Sequence, residues 1–369
     1  MKSTVLFFSL FVILMLCSCK NEDNPVPAPE TETVEKLNQR ATELFEQGTD
    51  VVDAAVTIKK EFTFEDKLLL NSLYDAGYSA GDVTKAIHIA YDYSPRIAEP
   101  ILLEIMDNKT ISDISELILK EYITELKSHP DDLKYFIGRI DGLEIKVIVL
   151  NDIYDKEPAF ILTMLKDLGG DVTEIVQLLT NHFQLVEGDV KDMMLQTGCT
   201  VEEIARVLKV VYNSTAMEVF QFLNENGFQI GETFTVLKNL YNLSIVQIAQ
   251  LLEGLNYETI DIAVILKDFQ YTNKEIAVLL KNHFNYSAEE TAVLLKQLNV
   301  SAGEITDILR DVYNLTMPEI VVILYDIGFS DEEILIVLSH HLEYQDIYDL
   351  YISLGFDPCI VKQFFHIPC

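Results

Sequence analysis

Paired apolar residues return along this chain at a fixed interval. They are Leu178-Leu179, Val207-Leu208, Val236-Leu237, Ile265-Leu266, Leu294-Leu295 and Ile323-Leu324, each 29 residues after the last. A second set lies midway: Met194-Leu195, Phe222-Leu223, Leu251-Leu252, Leu279-Leu280, Ile308-Leu309 and Val337-Leu338. The unit is therefore one helix plus a turn, about 14.5 residues long, and two units make a hairpin. A helix of about ten residues is marginal alone, so it must bury its apolar stripe against neighbours. The pattern predicts an all-α fold, an α-solenoid of short stacked helices.

The unit boundaries carry their own chemistry. A capping box, in which a hydroxyl or carboxylate caps the first turn and an acid or amide reaches back, precedes most helices. The pairs are Asp171/Glu174, Thr200/Glu203, Thr215/Glu218, Ser244/Gln247, Thr272/Glu275, Ser287/Glu290, Ser301/Glu304, Thr316/Glu319 and Ser330/Glu333. Lys209, Lys238, Lys267, Lys281, Lys296 and Arg310 stand near helix ends, where a cation suits the dipole of its own helix.

Two kinds of unit alternate. One ends long with an aromatic and an Asn, as at Tyr212-Asn213, Tyr241-Asn242 and Tyr313-Asn314. The other ends short, often at Gly198, Gly227 or Gly328, where glycine suits a left-handed C-cap. Near Gly254 two short units follow one another, which predicts a local change of superhelix curvature. Towards the N-terminus the rhythm is weaker but visible in residues 79–91, 111–122 and 160–168. His129-Pro130-Asp131 and Lys156-Glu157-Pro158 interrupt it and read as irregular joints within one array. Around twenty such helices, paired at the usual 8–10 Å, would make a curved rod on the order of 100 Å along its path.

The N-terminus reads differently. Lys2 precedes an apolar run at 5–16, and Leu16-Cys17-Ser18-Cys19 follows. This block resembles the lipobox of bacterial lipoproteins, with Cys17 a departure where a small residue is more usual. The resemblance implies cleavage before Cys19, which becomes the lipidated first residue of the mature chain. The run is too short for a permanent span. Lys20-Asn21-Glu22-Asp23-Asn24 is similar to a surface-export signal of some Gram-negative lipoproteins. Pro25, Pro27 and Pro29 then favour an extended spacer. The expected organisation is signal peptide 1–18, lipidated cysteine and linker 19–32, and one helical-repeat domain 33–369. That domain is irregular over 33–160, regular over 160–358, and capped by 359–369.

Acid outnumbers base 59 to 27, a net charge of −32, which disfavours nucleic acid because such binding needs Lys and Arg to replace counterions. The same charge leaves the lipid to hold the protein at a membrane. Hydrophobic residues make up 49% of the chain, ample for a continuous core and too many for disorder.

Candidate chemistry is sparse. Outside the cytoplasm disulfides persist, and Cys359 and Cys369 bracket a short C-terminal loop, so a bridge there is the preferred reading. A zinc site with His366 would supply only three ligands. Cys199 reads as a buried thiol. His182 and His283 occupy the same place in two Leu-Leu-x-Asn-His-Phe units, too far apart to share a metal, and adjacent His340 and His341 point in different directions. No metal or cofactor site is expected. The Asn-x-Ser/Thr triplets at Asn213, Asn242, Asn285 and Asn314 are explained by one helix ending and the next beginning. Phosphate-loop, nucleophile-elbow and His-Glu-x-x-His motifs are absent. The regular tyrosines read as packing between units.

These features predict a noncatalytic, lipid-anchored scaffold for protein–protein interaction, attached to the bacterial outer membrane and facing outward. The acid surplus points to a basic partner. The alternatives are a glycan- or nutrient-binding accessory of an uptake system, and a periplasm-facing orientation.

Overall fold

The computed structural model describes residues 33–369. The signal segment, the lipidation position Cys19 and the linker to residue 32 lie outside the described residues. The described residues form 24 α-helices and one π-helical segment, Val149–Ile153, with no strand among them. No helix among them is long and apolar enough to cross a membrane.

The chain divides into two compact units, residues 33–141 and Gly142–Cys369. The two supposed joints are helix starts: Pro130 and Pro158 each open a helix, Pro130–Arg139 and Pro158–Asp167. Proline suits that position because its missing N–H would have no partner there.

In the N-terminal unit, helices Val51–Glu61, Ala80–Ile89, Ile111–Glu121 and Pro130–Arg139 pack in one row, with Val34–Glu46, Asp66–Ala76 and Pro95–Ile105 in another. Leu37, Ala54, Ile58, Leu70, Leu73 and Ile87 are fully buried between them. One turn here requires glycine. Gly77 has φ +116°, and a Cβ on it would lie 2.9 Å from the Phe45 ring. Gly77→Ala is expected to cost about 1–3 kcal/mol through backbone strain, readable as a lower urea midpoint.

In the C-terminal unit the long-ended helices form the closely packed row. Val172–Phe183, Val201–Tyr212 and Ile230–Tyr241 pack in succession. After Gly254 the closely packed succession is Asn273–Asn282, Ala302–Tyr313 and Asp331–Ser339. The two short helices in between, Ile245–Gly254 and Thr259–Asp268, are the slip seen in the sequence. In the Val201–Tyr212 helix alone, Ile204, Ala205, Val207 and Leu208 are fully buried. At about 1.5–3 kcal/mol per large apolar side chain, this packing outweighs what so short a helix gains by itself.

Local signals hold each helix in place. Both arms of the capping box form at Thr200/Glu203, Thr215/Glu218, Ser244/Gln247, Thr272/Glu275, Ser287/Glu290 and Ser330/Glu333. The Thr316 N–H donates to Glu319 at 2.7 Å. Asp171 and Ser301 supply only the first arm. Glu304 instead accepts from the Asn273 side chain at 2.8 Å, tying two helices of the close row together. Ser79/Asp82 and Thr110/Asp113 form boxes with Asp as the returning acid. Asn213, Asn242, Asn285 and Asn314 are all left-handed, with φ between 52° and 57°. That conformation is tolerated by Asn and Gly and ends the helix.

Candidate functional site

Lysines at helix ends do more than complement their own dipole, which is all the sequence suggested for them. Each reaches to the next helix of its row. The ammonium groups of Lys267 and Lys296 donate to the Leu298 and Ile327 carbonyls at 2.7 and 2.6 Å. Lys209 and Lys281 do the same to Leu240 and Val312. These carbonyls close their helices and lack intrahelical partners. Several of the same lysines also cover an aromatic ring. Lys209 lies 4.7 Å from the Tyr241 centroid, Lys238 4.4 Å from Tyr271, Lys281 4.9 Å from Tyr313 and Lys296 4.6 Å from Phe329. The ring's negative face attracts the cation. Tyrosines tie the rows in the opposite direction: the Tyr241 hydroxyl donates to the Ser214 carbonyl at 2.7 Å, and Tyr313 to Tyr286 at 3.0 Å. Burial pushes the Tyr241 phenol up to about 12, so it remains a donor. The regular tyrosines are packing groups, as their repeat positions suggested.

Between Lys209 and Arg310 the ladder is interrupted at two places; beyond those bounds Thr180, Leu195, Tyr325 and Ser339 hold the same position. Asn224 and Glu253 stand where Lys209, Lys238, Lys267, Lys281 and Lys296 stand in their own units. In register, the rings they would face are Tyr257 and Tyr286. No cation covers either ring among the described residues. Both line a groove of about 660 Å³ beside the Gly254 slip. Phe284 and Val293 complete its apolar wall, and Glu253, Glu258, Glu289 and Glu290 its rim, with no Lys or Arg among the lining residues. The rings are half-buried and the four carboxylates exposed. Glu290 accepts from the Ser287 N–H at 2.7 Å, and Glu253 lies 2.7 Å from His283 Nε2. Two half-exposed valines, Val264 and Val322, repeat the position of Val293 on the helices to either side.

A second concave site lies in the N-terminal unit. His88 Nδ1 is 3.0 Å from Glu121 and its Nε2 2.8 Å from Glu125. Tyr122 lies against the imidazole, ring centroids 4.2 Å apart. His88, Asp92, Tyr93, Glu125, His129 and Asp132 line a pocket of about 280 Å³. Burial pulls the His88 pKa down, but the bonds and charges of Glu121 and Glu125 outweigh it, so the net direction is up. Burial raises Glu125, but backbone and His88 interactions outweigh that and lower it. The histidine's contribution to stability is thus fully present below its unfolded value and fades as pH rises through its raised folded value. Glu125's contribution is present above its unfolded value and fades as pH falls through its lowered one. Unfolding of the N-terminal unit should show stability declining above about pH 6.5, and His88→Gln should flatten that decline. An unchanged profile in the variant would remove the imidazole as the cause.

The remaining sequence candidates scatter. Cys359 and Cys369 are joined, with Cα atoms 5.4 Å apart, and Asp357 caps the Cys359 N–H at 2.9 Å. Cys199 is buried and free. The aligned histidines serve as struts between units: His182 Nε2 lies 2.9 Å from Asn151 and His283 from Glu253 as above. His341 lies 3.4 Å from Arg310. Among the described residues no group of three or more His, Cys, Asp and Glu is arranged for a metal.

Compared with protein-family models and with curated proteins, this chain matches none.

The groove was not singled out in the sequence, yet its signal was present. It is the two uncharged or acidic residues, Asn224 and Glu253, within the basic run from Lys209 to Arg310, beside the slip in unit length. The His88 cluster had no such signal, because its three residues come from three different helices.

Proposed function

We propose that this chain is a noncatalytic interaction scaffold. A lipid on Cys19 holds it at the bacterial outer membrane, facing outward, and its repeat stack presents a binding groove to a protein partner. The observation that carries this reading is the groove at the Gly254 slip, where half-buried rings meet four carboxylates and no Lys or Arg lines the wall. Aromatic walls supply desolvated contact area, and the acidic rim steers a basic partner and sets its register. Repeat stacks suit this work because the groove stays rigid between helices packed on both sides.

Covalent crosslinking in intact cells, followed by mass spectrometry, tests the reading. A reproducible protein partner supports it, and recovery of only lipid and general envelope neighbours counts against it. Tyr257 and Tyr286 could also face a sugar ring, as an uptake accessory would require. A glycan-array hit abolished by Tyr286→Ala would move the assignment to that alternative.

A further inference from the structure

The repeat itself shows what chemistry fits the groove. In four other units a lysine covers an aromatic ring at 4.4–4.9 Å. Three of those lysines, Lys209, Lys281 and Lys296, also donate to a helix-ending carbonyl. At the groove the ring positions persist as Tyr257 and Tyr286, while the lysine positions hold Asn224 and Glu253. The neighbouring lysines cannot swing in at no cost, because Lys267, Lys281 and Lys296 are each engaged on a carbonyl of the next helix.

We propose that a partner protein completes this ladder in trans, laying lysines from an extended segment over Tyr257 and Tyr286. The inference deepens the scaffold reading and rests on it. Charge favours it. Where the chain's own lysine would have stood is Glu253, whose one polar side-chain contact among the described residues is His283 Nε2 at 2.7 Å. Glu258 and Glu289 line the groove with no Lys or Arg partner among the described residues. An entering ammonium meets carboxylates and ring faces, and its aliphatic stem lies on Phe284 and Val293. The two lysine-less positions fall on alternate helices, Ala216–Glu225 and Ile245–Gly254. Neighbours in a row are spaced by about 8–10 Å. A polyproline-II segment advances about 9 Å in three residues and brings residues i and i+3 back to one face, so the fitting segment carries lysines three apart.

The test uses the full-length chain in non-ionic detergent. The probe is a fluorescent, end-blocked peptide containing Ala-Lys-Ala-Ala-Lys-Ala, followed by anisotropy at low salt. Binding should weaken by about tenfold or more when both lysines are acetylated, since the cation is lost. Glu253→Lys should abolish binding by supplying the missing rung from within, while its far-UV circular dichroism stays that of the folded helical stack. Glu332→Lys makes the same charge change outside the groove and should bind nearly as well as wild type. If Glu253→Lys fails to fold, the double variant Glu258→Gln/Glu289→Gln, both exposed, should weaken binding instead. No binding to wild type, equal binding of the acetylated peptide, or equal loss with Glu332→Lys would each overturn the proposal. In cells, a partner still crosslinked by Glu253→Lys would sink the groove assignment while leaving the scaffold reading intact. Absence of any partner on the wild type would sink the scaffold reading itself.

Discussion

Phe234→Ala should destabilise the C-terminal unit by about 3–5 kcal/mol, the range for deleting a buried aromatic side chain. Phe234 is 1% exposed. Its ring centroid lies 4.5 Å from Phe220 and 5.5 Å from Phe269. Phe220 and Phe234 lie on successive helices before the Gly254 slip and Phe269 closes helix Thr259–Asp268 beyond it, so truncating the middle ring opens a cavity touching both neighbours. In a stack, each helix is held mainly by its nearest neighbours. Hydrogen exchange should therefore lose protection first in helices Ala216–Glu225 to Thr259–Asp268, while Ala302–Tyr313 and Asp331–Ser339 stay protected. Even loss across the unit would show that its helices unfold as one block. A urea midpoint within error of wild type would refute the packing argument.

Arg139→Met should cost the N-terminal unit about 2–3 kcal/mol, at or below the lower end for breaking a buried ion pair because water reaches one partner. The Glu99 side chain is only 6% exposed and that of Arg139 is 32%, with Nε 2.8 Å from Oε1. Neither atom makes a directed hydrogen bond, so the contact is ionic and its loss leaves a buried charge. The other Glu99 oxygen accepts from the Tyr135 hydroxyl at 2.7 Å. That ring also lies against two guanidiniums, with Arg96 3.4 Å and Arg139 4.7 Å from its centroid. The double variant Glu99→Met/Arg139→Met should recover most of the loss, because it removes both charges and keeps apolar volume. Thermal unfolding of the two single variants and the double completes the cycle. A double variant as unstable as the sum of the singles would mean that packing, and not charge, dominates there.

Both sites sit where the local pattern breaks. At Glu99 an acid occupies a core-facing position. At Glu253 an acid occupies a lysine position. The acid itself is plain in either line of sequence, but its consequence is not. Glu99 gains meaning only because Arg139 and Tyr135 arrive from another helix. Glu253 gains meaning because the neighbouring lysines reach across to the next helix of the row.

The sequence by itself determined the helices, their ends and their period. Apolar pairs every 29 residues, hydroxyl–acid boxes and left-handed Asn or Gly caps are local interactions, complete within a few residues of one another. It also determined where the alternation slips, because unit length is counted along the chain. Only the tertiary structure decided that the described chain divides at Asp141–Gly142. It alone decided that lysines serve the next helix and that the slip opens an acid-rimmed aromatic groove. Those outcomes depend on contacts between residues about thirty positions apart. Local propensity is silent about such contacts, and they form only when rows of helices pack.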